Sequence, residues 1–394
     1  MKYYINFLRD KPIIRSLSLV NFIASFGAWF STVAIYTMVV EFGSSEFAIA
    51  IVTAMHFIPA ILIAPFSGSL IDRLRIKPLM VTLLFIELSM TACFLLIETS
   101  SQLWLLLIFI FIRMSAASMF FSSEMSLLAK IATGKDLQTA NEIQSIIWSF
   151  TYAVGMAVSG FIVNLYGVKA AILIDVAIFV LAFFVFLNIK INIEYKKVEE
   201  KILELMIDGL RYIKNNKIIL HLIFLHASVG LTSYDALITI LAKNEYKELI
   251  AVPLAIGLSN AVRAVALMIG PLFLNKIIKK DNLQYLLVFQ GITIIIWAFA
   301  QSNFYLSLGA LFFVGFSTAF LWSYTYALLQ NHCDKKYIGR VISYNDMFFM
   351  LANVLTTLFI GTMAHITTTS IITICLGVAF LLYAYYYTKI YSKI

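Results

Sequence analysis

The stretch from Leu17 to Val40 contains no charged residue, and similar apolar runs follow it at regular spacing to the end of the chain. About 20 apolar residues wound as a helix cross the hydrocarbon of a bilayer. Backbone N–H and C=O groups in lipid must be satisfied within the segment. Runs this long and this uniformly apolar are therefore helices rather than strands of a barrel. A span with its loop takes roughly 30 residues, which predicts about twelve spans in 394 residues. They fall at 16–40, 47–70, 78–98, 103–129, 139–165 and 169–189, then at 217–242, 249–274, 283–301, 304–330, 339–364 and 367–388. The first is too long for the apolar core of a secretory signal and reads as a span.

Charge is scarce and ordered. Charged residues make up 13% of the chain, about half the share in a soluble domain. A net charge of +8 would suit a nucleic-acid partner, but the bases lie in the gaps between apolar runs, so none is expected. Of the 29 Lys and Arg residues, 24 fall before span 1, after the even-numbered spans up to span 10, or after span 12. Only Lys169, Lys243 and Lys247 lie on the other side, and Arg113 and Arg263 lie within spans. Cytoplasmic loops carry the excess of bases, so both termini are expected in the cytoplasm. The three cysteines, Cys93, Cys333 and Cys375, have no metal or redox spacing.

From Glu194 to Lys217, apolar residues recur at about 3.6 positions with charges between them, the mark of an amphipathic helix at a membrane surface or against a bundle. It divides the chain into a six-helix bundle at 1–189, a linker at 190–216 and a second bundle at 217–394. The loop Gly270–Lys280 weakly repeats the loop after span 2, a glycine and a leucine followed by bases. Two such halves suit a transporter that alternates access to a central site. The expected fold is an all-α membrane protein with twelve transmembrane helices in two pseudo-symmetric six-helix bundles.

The loop after span 2 reads Gly68-Ser69-Leu70-Ile71-Asp72-Arg73-Leu74-Arg75-Ile76-Lys77. It resembles the signature of the major facilitator superfamily at Gly68, Leu70, Asp72, Arg73 and Lys77. Arg75 stands in place of the pattern's second glycine, and Ile76 in place of a base. Shorter stretches look like the macrolide-efflux and enterobactin-exporter branch. They are Ser25 to Trp29, Pro59 and Pro65, Ala140-Asn141, Asp208 to Ile213 and Gly339-Arg340-Val341. Span 5 keeps Gly155 and Gly160, with Met156 where the family's antiporter pattern has proline. The resemblance implies a bacterial inner-membrane exporter of a small amphipathic metabolite, drug or siderophore. It also implies proton exchange, with the protein at work in the lipid bilayer as a monomer and without a cofactor. A siderophore or lipid-like importer or flippase without antiport, and a membrane sensor on a transporter fold, are the alternatives. No Gly-x-x-x-x-Gly-Lys-Ser/Thr is present, so ATP is not expected to drive transport.

Ionisable residues inside spans are costly and usually functional. Arg113, followed by Ala116, Ala117 and Ser118, matches an arginine that the family uses in proton coupling. Glu87 in span 3 is its expected partner, and Asp235 joins them as a coupling candidate. Arg263 in span 8 can pair with Asp235 or bind substrate. Asn21, Ser25, Trp29, Tyr36, Tyr152, Tyr234, Trp322 and Tyr326 are expected to line an aromatic cavity. The resemblance implies that Asp72 complements the dipole of the helix that starts near Gly339. With Gly68, Arg73, Arg75, Lys77, Glu124, Arg340 and Asp346 it forms the expected gate. The five histidines show no ligand spacing, so no metal is expected.

Overall fold

The structure is a computed structural model that describes residues 2–191, 202–275, 277–334 and 336–391, with all of their side chains except those at 2, 64–69, 72, 73, 202, 203 and 205. A short amphipathic helix, α1 (Lys2–Asp10), leads into the first span, α2 (Pro12–Glu41). Span 2 is broken at 55–57 into α3 (Glu46–Ala54) and α4 (Ile58–Arg73). Spans 3 and 4 are α5 (Ile76–Cys93) and α6 (Leu103–Ile131). Next comes α7 (Gly134–Leu187), 54 residues long. A straight helix of that length would run roughly 80 Å, well over twice a hydrocarbon core. Gly167 turns the chain back with φ 81°, a left-handed backbone open chiefly to glycine. The limbs 134–166 and 168–187 are therefore spans 5 and 6.

The second half repeats the count. After the linker helix α8 (Ile202–Asn215), span 7 is built from α9 (Lys217–Ala227) and α10 (Asp235–Asn244), with a tight turn of 3-10 helix at 228–232 between them. Spans 8 to 12 are α11 (Val252–Leu274), α12 (Leu283–Ala300), α13 (Phe304–His332), α14 (Ile338–Met363) and α15 (Thr369–Ile390). Among the described residues, eleven helices are long and apolar enough to cross a membrane, and the Gly167 reversal makes twelve crossings of them. Side-chain caps start several spans. Ser45, Asn216, Asn303 and Thr368 accept from backbone N–H groups of the first turns of α3, α9, α13 and α15.

The loops after the even-numbered spans share one end of the molecule with α1 and α8, here called the basic end. The opposite end is the far end. Buried apolar side chains form two clusters. The larger one runs through the second bundle and into the far half of the first, where it includes Phe30, Val33, Ile49, Val163 and Ile172. The smaller one, with Ile14, Leu17, Met80, Leu127 and Phe186, stays within the basic half of the first bundle. The bundles thus share a core toward the far end and keep separate cores toward the basic end.

Candidate substrate site and its gates

The first bundle carries a buried ion pair. Arg113 Nη2 lies 3.2 Å from Asp175 Oδ2, and both side chains are buried. The Ser31 hydroxyl donates to the same carboxylate oxygen. The rings of Phe94 and Phe179 lie 5.6 and 5.3 Å from the guanidinium, so its faces are held by cation–π contact. A Cβ on Gly27 would meet the Asp175 carboxylate, so a side chain there would displace the acid. Glu87, the expected partner, is also buried, but among the described residues it makes no ion pair, and Asp175 takes its place. Depth explains the assembly. Arg113 is ten residues into α6, Asp175 seven past 168, and Ser31 ten before the end of α2, all counted from the far end. At 1.5 Å per residue they share a level roughly 10–15 Å in.

A second network lies nearer the basic end. Ser25 Oγ donates to Asn21 Oδ1 at 2.8 Å, Asn21 donates to Gln144, and Gln144 Nε2 donates to Glu124 Oε1 at 2.7 Å. These bonds tie spans 1, 5 and 4 together. Glu124 is therefore a buried member of the first bundle's core network.

The third group bridges the bundles. Arg263 Nη1 is 3.7 Å from Asp235 Oδ1 and 3.5 Å from Tyr152 Oη, and its Nη2 donates to the Thr232 carbonyl at 2.8 Å. That carbonyl is available because span 7 is unwound between α9 and α10. Broken helices are tolerated in membranes where other groups re-satisfy the freed backbone. Tyr152 Oη also donates to Asn260 Oδ1 at 3.1 Å. Trp29 packs on Tyr152 with centroids 4.5 Å apart, and Trp148 lies 5.3 Å from Tyr152. Tyr152 is 5% exposed, while Trp148, one turn nearer the basic end, is 49% exposed. Within this aromatic group the exposure therefore lies at Trp148, on the side of the basic end.

Other expected lining residues stand elsewhere. Tyr234 is fully buried, edge-on to Trp297 at 5.1 Å and 5.4 Å from the Arg263 guanidinium. It backs the site rather than forming its surface. Tyr36 is buried beside His56. Trp322 and Tyr326 stack on each other at 5.0 Å and pack around the imidazole of His226.

The far end is closed by contacts between the bundles. Glu46 binds Lys243 Nζ at 2.9 Å and Asn244 Nδ2 at 3.3 Å, and its other oxygen lies 3.7 Å from His365 Nδ1. Lys243 also donates to the Ser44 carbonyl at 2.8 Å. Spans 5 and 8 touch backbone to backbone. A Cβ on Gly160 would come 2.8 Å from the Pro253 carbonyl, and one on Gly257 2.6 Å from that of Met156. In the sequence Gly160 and Met156 marked a family pattern and Lys243 a base on the far side, but their part in closing this end becomes meaningful only beside their partners.

At the basic end, the surroundings of Gly68 and the side chains of Asp72 and Arg73 lie outside what is described, so the expected Asp72 contact does too. Arg75 is an exposed residue preceding α5. Lys77 donates to the Leu187 carbonyl at 3.1 Å, tying span 3 to span 6 within one bundle. Among the described residues, a Cβ on Gly339 would meet nothing within 4 Å. Arg340 pairs with Asp208 of α8 at 2.6 Å. Asp346 is half-buried in α14 and accepts from Asn345. No cluster that could hold a metal ion occurs among the described residues.

A profile of the Major Facilitator Superfamily matches residues 17–357. Among solved structures, the nucleoside transporter NupG superposes with TM-score 0.76 at 13% identity, over 96% of this chain and 99% of that one. A D-xylose-proton symporter gives 0.73 at 14% identity, over 94% and 97%. A bacterial homologue of the iron transporter ferroportin, in an inward-facing state, gives 0.68 at 16% identity, over 96% and 98%. At these identities the likeness is one of fold. No curated protein matches the chain.

Proposed function

This chain belongs to the major facilitator superfamily, and we propose that it is a secondary transporter that exports a small amphipathic compound in exchange for protons. The basic end is assigned to the cytoplasm on the distribution of Lys and Arg, which makes the far end, closed by Glu46 and Lys243, the outer gate. The observation that carries the coupling is the buried group in the first bundle. Two carboxylates, Asp175 and Glu87, share that region with one guanidinium, Arg113. Two acids against one base at membrane depth favour a bound proton, because an unpaired charge there is expensive.

On this reading Arg113 and Asp175 hold each other while the second acid carries the proton. Substrate binds between Trp29, Trp148 and Tyr152, beside Arg263 and Asp235, where both bundles contribute contacts. Its binding energy can therefore differ between the two states, which alternating access requires. The aromatic wall supports a flat, partly apolar cargo. The relatives of known structure carry cargoes as different as nucleosides and D-xylose, so their fold leaves the cargo open.

The test uses inverted vesicles with an imposed pH gradient, acid inside. Gradient-dependent accumulation of a fluorescent amphipathic cation is expected, and its collapse on addition of a protonophore. Accumulation that ignores the gradient would refute antiport. In the Glu87→Gln variant, accumulation should lose its pH dependence while the protein stays folded.

A further inference from the structure

The linker helix α8 has two faces. One is docked on the second bundle: Asp208 pairs with Arg340, Tyr212 stacks on Tyr337 at 4.2 Å, and Tyr344 Oη donates to the Met206 carbonyl at 3.1 Å. Tyr212 Oη accepts from the Asp334 N–H at 3.1 Å, and a Cβ on Gly209 would come 2.9 Å from Arg340 Cβ. Successive helical residues turn by about 100°, so Ile207, Leu210, Arg211 and Lys214 share a stripe about 100° wide on the opposite side. All four are exposed, two apolar and two basic.

The depth of α8 follows from the helix after it. Asn216 ends the linker and caps α9, accepting from the Ile219 N–H. Lys217 is the first residue of span 7. Leu220 and Phe224 continue its exposed face into the membrane, with Phe224 packed against Tyr383 and Tyr386 of α15. Lys217 therefore marks the headgroup level, and α8 ends there. Among the described residues, Glu204 is the acid that flanks the stripe, against three bases, Arg211, Lys214 and Lys217. Apolar side chains at the acyl boundary with bases above them make a surface for negatively charged lipid.

We propose that the Ile207–Leu210–Arg211–Lys214 stripe, with Lys217, binds anionic phospholipid headgroups of the leaflet at the basic end. Because α8 is clamped to α14, lipid held there acts on the second bundle as one body with span 11.

The full chain, with its native cysteines replaced and Leu210→Cys carrying an environment-sensitive fluorophore, is placed in nanodiscs of phosphatidylcholine or of phosphatidylcholine with phosphatidylglycerol. The expected result is bluer emission and weaker quenching by acrylamide in the phosphatidylglycerol discs. High salt, or the triple variant Arg211→Gln, Lys214→Gln, Lys217→Gln, should abolish the difference. These positions are exposed, so the triple variant should keep the parent's elution profile. Native mass spectrometry should also show fewer retained phosphatidylglycerol molecules on it. Equal emission in both discs, or a lipid difference that survives the triple variant, would overturn the proposal. So would a fully quenched label in both, which would leave the stripe facing water.

Discussion

Asp175 holds the most tightly framed charge in the described structure. Its carboxylate meets Arg113 and Ser31 and sits against Gly27. Removing one partner of a buried pair costs about 3–5 kcal/mol, because the other charge stays buried without compensation. Asp175→Ala should therefore destabilise the protein by about that much, while Asp175→Ala with Arg113→Ala should cost less than the two single variants summed. Thermal unfolding in detergent measures both; strictly additive losses would remove the pairing from the account of stability. Arg113 was legible from the sequence because a charge inside an apolar run stands out. Its partner was not, since three acids share the first bundle's spans 3, 4 and 6, and only superposed helices show which one faces the guanidinium. Comparing depths from the far end would have narrowed the choice but not made it: Glu87, on span 3, comes out at nearly the same level.

At the scale of elements, the contact of spans 5 and 8 turns on two glycines. Gly160 and Gly257 let their backbones approach with no side chain between. Gly257→Leu inserts a branched chain where a Cβ alone would lie 2.6 Å from a carbonyl, so the helices must separate. The expected outcome is a shift of roughly tenfold, about 1.4 kcal/mol, toward states open at the far end. It is read as faster labelling of a cysteine placed at Ala255 in a chain without its native cysteines. Span 7 shows what periodicity cannot reveal. Its apolar run reads as one helix, yet the chain tightens into 3-10 helix at 228–232 and leaves the helix at 233–234, so that Thr232 turns its carbonyl to Arg263, and Gly230 lets α14 approach. An unwound turn keeps the composition of a helix, so hydropathy alone passes over it.

For the molecule as a whole, the gate at the far end centres on Glu46, which reaches Lys243, Asn244 and His365 of the other bundle. Lys243 and Glu46 are largely buried, so their pairing is screened less than a surface pair. Glu46→Gln should loosen the closure, and Lys243→Glu should open it further by setting two acids face to face. Double electron–electron resonance between labels at Phe47 and Lys247 would register longer distances in both variants. An unchanged distribution would show that the glycine contacts close this end unaided.

Hydrophobic run length and the placement of bases were enough to determine twelve helical crossings and their boundaries within a few residues. These follow from the cost of exposing backbone to lipid, which acts on each segment separately and is written in local composition. Pairing is not local. That Arg113 meets Asp175, that Arg263 reaches Tyr152 across the bundles, and that Glu46 locks the far end depend on which helices lie side by side and at what depth. Twelve helices of similar hydropathy can be arranged in many ways. Only the packed structure, in which small residues such as Gly160 and Gly257 admit close neighbours and buried charges must find partners, selects the arrangement that brings these groups together.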